Sequence, residues 1–386
     1  MFFWISFASL LVFMFLLQQI VQNKYKSMIT KLTLTILWCV SSFRYMIGAD
    51  YEQYMLWYDL ALDNPIMEVF LEPSFLFLLR ILHYFDCTYQ AMFLIYATIT
   101  LLMIYKGLQY YLSSQRQLLV AILMFSFFYD GFFYTMNNIR AAAALSILFY
   151  GTRYVCERNF KKFLLVFCIA FLFHYSVVLF VPVYFIRFIR EKRLKISVQV
   201  FLIFLSFVAG YALVVSKLFF FAINHMGTYA AKYGGLIVGE KGIWSISSTI
   251  IFCTCYFFIY LYISRHDSFV KDCSSSQYIF INNMSLFYVM FLVMFNLTFS
   301  SAAFDLTDIC HRIPLFFVPF FFMSLSYSIC NLWRNKKEIL SCLLIVICMV
   351  QFVRVIYYMP MSDAAKTSPR ISIGNINYEF NFKLLN

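Results

Sequence analysis

Residues 160–190, FKKFLLVFCIAFLFHYSVVLFVPVYFIRFIR, decide the fold that the sequence predicts. Their apolar centre, residues 163–186, follows Lys161 and Lys162 and precedes a second basic cluster that begins at Arg187. Loops rich in Lys and Arg stay on the cytoplasmic side of a membrane, so both ends of the segment should lie on that side. A single crossing helix would separate them. We therefore expect two short helices, running outward and back, with the turn near His174.

The rest of the chain is apolar enough to surround such a broken helix with full membrane spans. Of its 386 residues, 63% are hydrophobic and only 12% are charged, which lies outside the usual composition of soluble domains. Apolar runs, each near the length of about 20 residues that a span needs, occupy 2–22, 28–43, 88–105, 117–135, 140–155, 196–222, 244–264, 278–299, 313–333 and 338–358. The sequence predicts an all-α, polytopic membrane helix bundle of about ten full spans, or roughly 11–12 helices with the broken pair.

The basic residues also orient the bundle. Lys24, Lys26 and Lys31 follow the first run, so the loop that contains them should be cytoplasmic and the next loop, residues 43–86, external. Segment 73–86 is too short to cross, and we expect it to lie at the outer interface or to dip in and return. The polar tail 359–386 should also be external. With no internal repeat, residues 1–386 are expected to form a single membrane domain.

Several other features have simple explanations. The formal charge of +12 follows from the cytoplasmic loops, so nucleic acid is not an expected partner. The first run lacks the basic start and small-residue cleavage site of a signal peptide, and is expected to be a retained span. The eleven cysteines are scattered without a C-x-x-C pair, so we expect neither a metal site nor a disulfide framework.

In this orientation the scarce ionisable groups converge on the outer face. They are Arg44, Asp50, Glu72, Arg140, His174, His225, Asp305, Asp308, His311 and Arg312. Such groups are costly in a membrane unless they are paired or solvated, so they predict a polar cavity. The guanidinium of Arg matches phosphate oxygens in pairs, and a His or carboxylate can take a proton from an attacking hydroxyl. The mixture suits chemistry on an anion.

Each of these residues also has a structural interpretation. The two arginines at helix ends, Arg44 and Arg312, could extend to lipid headgroups, and Asp50 could cap a turn or pair with Arg44. His174 could be a core histidine, and Glu72 could do no more than begin a helix. The aromatic residues of the external loop are typical of an interface belt, although Tyr51, Tyr54, Trp57 and Tyr58 could instead form a wall on which a sugar stacks.

The nucleotide-binding G-x-x-x-x-G-K-[ST] and the hydrolase G-x-S-x-G patterns do not occur in the sequence. A cytoplasmic transferase that uses sugar nucleotides is therefore not expected. The substrate should instead reach the outer leaflet already activated.

Several of the outer-face residues form a spaced pattern. Residues 44–54 read RYMIGADYEQY, and Glu72-Pro73 precedes an apolar stretch. There follow Asn138-x-Arg140-x-x-x-Ala144, Ala170-x-x-x-His174-x-Ser176, and Arg312 at the start of a late helix. The pattern resembles the EpsG-like family, which belongs with the Wzy-type polysaccharide polymerases of O-antigen and exopolysaccharide synthesis. Ala49 and Ala141 depart from it, which bears on fine substrate contacts more than on the class.

The resemblance implies a glycosyltransferase of the bacterial cytoplasmic (inner) membrane, with a GT-C-like architecture and an active site that faces the outside or periplasm. A growing glycan on undecaprenyl diphosphate would be moved onto the sugar hydroxyl of a new lipid-linked repeat unit, without metal or other cofactor. The implied partners are these donor and acceptor lipids, the membrane lipids and a chain-length regulator protein.

Under this hypothesis the candidate residues take separate roles. Diphosphate would be bound by Arg140 and Arg312, with Arg44 assisting or holding Asp50. His174 is the first choice for general base, and Asp50 or Asp308 the second. The remaining substrate contacts are assigned to Tyr51, Tyr54, Glu72 and His311.

Two other classes stay open. A lipid-linked oligosaccharide flippase would show repeat symmetry and polar residues through both halves of the bundle, and the sequence shows neither. Another membrane transferase, such as an O-antigen ligase or an acyltransferase, would need an acceptor other than the repeat-unit lipid.

Overall fold

The computed structural model describes residues 2–48, 50–61, 71–186, 188–192, 194–215, 275–297, 312–335, 337–358 and 379–384. Its α-helices are Phe2–Ile20, Asn23–Ser42, Tyr51–Leu60, Pro73–Tyr84, Tyr89–Tyr111, Gln115–Phe127, Tyr134–Asn137, Ile139–Cys156, Phe160–Phe173, Val181–Phe185, Phe188–Glu191, Ile196–Val215, Ser275–Phe291, Val318–Arg334 and Glu338–Tyr358. Tyr175–Phe180 is a 3-10 helix, Leu292–Leu297 is a π-helical turn, and Tyr129–Phe133 is a kinked segment. The expected helical architecture is confirmed for this part of the chain.

Among the described residues, four helices are long and apolar enough to cross a membrane: Phe2–Ile20, Tyr89–Tyr111, Ile196–Leu213 and Ser276–Phe295. A fifth results if Gln115–Phe127 and Asp130–Asn137 count as one bent span. The chain is therefore a helical membrane protein. About ten full spans stay a prediction, because run 244–264 and parts of other runs lie outside the described residues.

The apolar run 117–135 is not the continuous helix that its composition suggests. Its two halves, on either side of Phe128, differ in direction by 72°. Gly131 lies directly after the break, and its φ of −98° and ψ of −115° are not helical. A Cβ at this position would lie 2.0 Å from the carbonyl oxygen of Phe125, so only glycine fits.

The segment around His174 folds as the basic flanks predict. Helix Phe160–Phe173 ends at His174, whose φ of −162° and ψ of 125° are extended. The chain then returns, because the Tyr184 ring stacks on Phe163 with ring centroids 4.9 Å apart. The turn therefore places His174 at the far end of a helical hairpin, away from the basic residues that flank it.

By contacts the chain forms two compact units, one of residues 1–185 and 326–386 and the other of residues 186–325. The single-domain assignment stays a prediction. In the second unit, Asn283 on helix Ser275–Phe291 donates to the carbonyls of Ile189 and Lys192, each at 3.0 Å. The candidate site described below lies in the first unit.

Close packing between helices Tyr89–Tyr111 and Ile139–Cys156 organises the first unit. The second helix begins with four buried alanines, residues 141–144, and small side chains allow helices to approach closely. Gly107 on helix Tyr89–Tyr111 also allows close approach, because a Cβ at this position would lie 2.5 Å from the Phe149 ring. This packing brings the amino-terminal end of Ile139–Cys156, and with it Arg140, beside the residues of loop 43–86.

One small sheet departs from the all-α prediction. Strand Arg44–Tyr45 pairs antiparallel with strand Glu379–Phe380 near the carboxyl terminus. Next to this pair, the Thr88 amide donates to the carbonyl of Leu384 at 2.8 Å. Two residues per strand carry no periodic signal, which is why the sequence did not indicate the pairing.

Candidate functional site

Glu72 joins two distant parts of the first unit. One oxygen of its carboxylate forms a salt bridge with Nη1 of Arg140, and the other lies 2.5 Å from Nδ1 of His174. All three side chains are largely buried, with exposed fractions of 6% for Glu72, 14% for Arg140 and 17% for His174. Three ionisable groups that are far apart in the sequence thus form one connected cluster.

Each member of the cluster sits at the end of a helix. Glu72 has an extended backbone immediately before helix Pro73–Tyr84, and its carbonyl accepts from the amides of Phe75 and Leu76. Arg140 lies in the first turn of its helix, and His174 lies at the hairpin turn. The Ser74 hydroxyl donates to the Leu172 carbonyl at 2.6 Å, which holds the Glu72 segment against that turn.

Aromatic rings surround the guanidinium of Arg140. Its central carbon lies 4.6 Å from the ring centroid of Trp57, 5.1 Å from that of Phe75 and 6.0 Å from that of Tyr54. These distances are those of cation–π contacts. The Tyr96 ring packs against Phe75 at an interplanar angle of 55°, with ring centroids 5.9 Å apart, and so extends the apolar wall. Arg140 and Glu72 therefore pair in surroundings poor in water, where charges interact strongly.

The carboxyl of Glu72, which lies outside the candidate spans, is ionised at neutral pH. Burial alone raises its pKa, but the hydrogen bond from His174 and the positive charge of Arg140 outweigh burial and lower the pKa below the usual value. An ionised carboxylate only accepts hydrogen bonds, so Nδ1 of His174 must carry a proton. The proton on Nδ1 leaves Nε2 of a neutral His174 as a proton acceptor.

Tyr54 adds a neutral hydroxyl beside Arg140. Burial raises the pKa of Tyr54 to about 12 although the charge of Arg140 lowers it, so this phenol keeps its proton. The Arg140 Nε is buried and has no hydrogen-bond partner among the described residues. The cluster therefore retains donor capacity that its own carboxylate does not use.

Arg44 lies in a neighbouring layer and is 1% exposed. Its guanidinium donates to the backbone carbonyls of Ser41, Ile47 and Met136 at 2.5, 2.9 and 2.8 Å. It also lies 4.4 Å from the ring centroid of Phe93. This packing gives Arg44 a structural role, and its contact with diphosphate stays a prediction.

Gly48 and Asp50 attach the same loop to the residues that precede Arg140. Gly48 has a φ of +122°, and a Cβ there would lie 2.9 Å from the Met136 carbonyl oxygen. The Asp50 amide donates to Oδ1 of Asn137 at 3.2 Å. The R-x-x-x-G-x-D pattern thus fixes this loop against the start of the helix that carries Arg140.

The structure brings together part of the predicted set. Glu72, Arg140, His174 and Tyr54 are in one cluster, whereas Tyr51 is buried in the adjoining layer, stacked on Phe93 at 4.6 Å. Asp308 and His311, like His225 and Asp305, lie outside the described residues. Arg312 belongs to the second unit, and its role as a diphosphate ligand stays a prediction.

The sequence interpretation missed the residues that enclose Arg140 and the way Glu72 connects it to His174. Phe75 and Tyr96 are apolar or weakly polar residues within apolar runs, and nothing in their spacing distinguishes them. Tyr54 and Trp57 did carry a signal, since both belong to the aromatic group Tyr51, Tyr54, Trp57 and Tyr58, which lies on the short helix Tyr51–Leu60. Their contact with a cation, however, depends on tertiary packing.

Comparison with protein families gives one match. A model of the EpsG family matches residues 27–379, which include every member of the cluster. Comparisons with curated proteins and with solved structures find no match. The GT-C-like architecture accordingly stays a prediction.

Proposed function

The chain belongs to the EpsG family, and from that premise we propose that it is a polysaccharide polymerase that acts on lipid-linked repeat units. A growing glycan on undecaprenyl diphosphate would be transferred to a sugar hydroxyl of the next repeat unit. The observation that carries this proposal is the buried carboxylate of Glu72, which holds a guanidinium on one oxygen and an imidazole on the other.

His174 is the general base in this proposal. The acceptor hydroxyl oxygen attacks the anomeric carbon of the donor glycan, and its proton passes to Nε2 of His174. The bond from the anomeric carbon to the diphosphate oxygen breaks, and the diphosphate leaves with the bonding electrons. Glu72 is a positioning residue, because it keeps the proton of the neutral ring on Nδ1 and so directs Nε2 to the acceptor.

Arg140 supplies the positive charge for the leaving diphosphate. Glu72 accepts from Nη1 of the guanidinium, and an arginine has five N–H donors in total, so others remain for the diphosphate. The aromatic wall of Trp57 and Phe75 holds the group in place and keeps water away from its face. Donors that are already oriented stabilise developing negative charge without reorganisation. Asp50 and Asp308 stay second candidates for the base, and Arg312 a further diphosphate ligand.

The test uses purified protein and purified repeat-unit lipid as the sole substrate. We expect polymer from the wild-type chain, and single repeat units from Arg140→Ala and His174→Ala. Matched controls are Arg80→Ala, at an exposed position, and His83→Ala, at a half-buried position that contacts Tyr58 and not Glu72. Both lie on helix Pro73–Tyr84, toward its end away from Glu72. Long chains from both cluster variants would refute the assignment.

The same assay separates the remaining classes. Product that forms only after a different acceptor is added would identify a ligase or another transferase. Lipid that crosses the bilayer without any glycosidic bond being formed would identify a flippase.

A further inference from the structure

A cavity of about 500 Å³ lies in the first unit, apart from the Glu72 cluster. It is bounded by the starts of helices Asn23–Ser42 and Gln115–Phe127 and by the last turn of Val318–Arg334. Its volume falls in the range of small-ligand sites. Two helices begin at its wall, and neither has a side-chain cap among the described residues. Backbone amides at a helix start favour an anion.

The side chains that line the cavity have one sign of charge. Lys26, Arg116 and Arg334 contribute three cations, and no acidic residue lines the cavity in the described part of the chain. Like charges around a concave surface repel one another and concentrate anions. The lining is thus built for a ligand that carries negative charge.

The cavity and the Glu72 cluster lie at opposite ends of the same helices. Helix Asn23–Ser42 begins at the cavity and ends beside Arg44, where Gln90 donates to the Ser42 carbonyl. Helix Tyr89–Tyr111 returns from that end toward Ser114, which lines the cavity. A helix of 20 residues is about 30 Å long, close to the thickness of the bilayer core. A ligand of the cavity therefore enters from the membrane face opposite the cluster.

We propose that this cavity is a second anion site, which binds a phosphate group through Lys26, Arg116 and Arg334. A glycerophospholipid headgroup and a soluble phosphate share this chemistry. Basic pockets between helices at the cytoplasmic face are known to suit anionic headgroups. The site is independent of the transfer reaction, so it stands or falls separately from the proposed polymerase.

The test measures ligand binding to the full-length chain in nanodiscs. One set contains phosphatidylcholine alone, a second adds phosphatidylglycerol, and inorganic phosphate is titrated into each. Bound lipid is counted by native mass spectrometry, and affinity is followed by thermal stabilisation. We expect the Lys26→Gln/Arg116→Gln variant to bind at least about tenfold more weakly, because charge-assisted hydrogen bonds are lost. Lys31→Gln, on the same helix but outside the cavity, should bind like the wild type.

A second variant keeps the test decisive if the double variant does not fold. Arg116→Gln alone keeps Lys26 and Arg334, so it should weaken the binding of phosphatidylglycerol less than the double variant would. Binding of phosphatidylglycerol that inorganic phosphate cannot displace identifies a lipid ligand, and displacement identifies a soluble one. The proposal is overturned if the wild type binds neither, or if the variants that fold bind both as the wild type does.

Discussion

Replacing Glu72 by Gln removes the negative charge of the cluster while the size of the side chain and one acceptor oxygen remain. The carboxylate is 6% exposed and its partner Arg140 is 14% exposed, so the variant leaves a cation largely buried without a counter-charge. Breaking a buried pair on one side costs about 3–5 kcal/mol. The amide oxygen still accepts one hydrogen bond, which returns about 1 kcal/mol. We expect a net destabilisation of about 2–4 kcal/mol.

The effect on catalysis should be larger than the loss of stability explains. A Gln side chain can donate to Nδ1 of His174, which stabilises the tautomer whose proton is on Nε2 and so removes the base from the acceptor. A positioned general base contributes about 10²–10⁴-fold in rate. We expect Glu72→Gln to slow chain extension by at least about 100-fold, and Glu72→Asp, which keeps the charge, to recover part of it.

The assay combines the thermal midpoint in detergent with product length from repeat-unit lipid. Product length is measured at a temperature below the midpoint of the variant, so that unfolding does not contribute to the rate of chain extension. A Glu72→Gln protein that extends chains at the wild-type rate would refute the positioning role. A thermal midpoint equal to that of the wild type would refute the buried ion pair.

The pH dependence of stability gives an independent check on the same residue. The pKa of Glu72 in the folded chain lies below its usual value of 4.5, because the hydrogen bond from His174 and the charge of Arg140 outweigh burial. Its contribution to stability is therefore fully present above that value, and it is lost as pH falls toward the folded pKa. We expect the gap in thermal midpoint between the wild type and Glu72→Gln to be constant near neutral pH and to shrink below pH 4.5. A gap that widens on acidification would contradict the direction of the shift.

Three further substitutions test the surroundings of the cluster, each by thermal unfolding. Arg44→Ala leaves three buried carbonyls without their donor and should lower the free energy of unfolding by about 3 kcal/mol. Arg80→Ala, at an exposed position, should lower it by almost nothing. Equal thermal midpoints for the two variants would contradict this. Gly131→Ala places a Cβ against the Phe125 carbonyl in a non-helical conformation and should lower the free energy of unfolding by about 1–3 kcal/mol. An unchanged thermal midpoint would contradict the tight bend. Trp57→Leu removes the ring nearest to the Arg140 guanidinium and should lower the free energy of unfolding by about 1 kcal/mol. It should also shorten the polysaccharide product, and product of full length would contradict the role of the aromatic wall.

The predicted turn at His174 shows what the sequence could establish. Two basic clusters on either side of one apolar segment allow only an even number of crossings, and the structure folds the segment back at that residue. The bend at Gly131 could not be predicted in the same way. Its run is uniformly apolar, and one glycine in such a run is compatible with either a straight or a broken helix.

The candidate site was predictable as a set of residues but not as a set of contacts. Arg140 and His174 stood out because charged groups at helix ends need partners in a membrane. Their common partner Glu72 lies 68 and 102 residues away, and no local pattern reports a bridge of that length. Arg44 shows the opposite case, because a charged residue that looked functional donates to backbone carbonyls of the loop itself.

A double-mutant cycle on Glu72 and His174 tests the central claim most directly. The rate of chain extension is measured for wild type, Glu72→Gln, His174→Ala and the double variant, with purified repeat-unit lipid. If Glu72 acts through the imidazole, the double variant will be no slower than His174→Ala alone. If the two losses multiply, the residues act independently and the proposed arrangement of base and positioning residue is wrong.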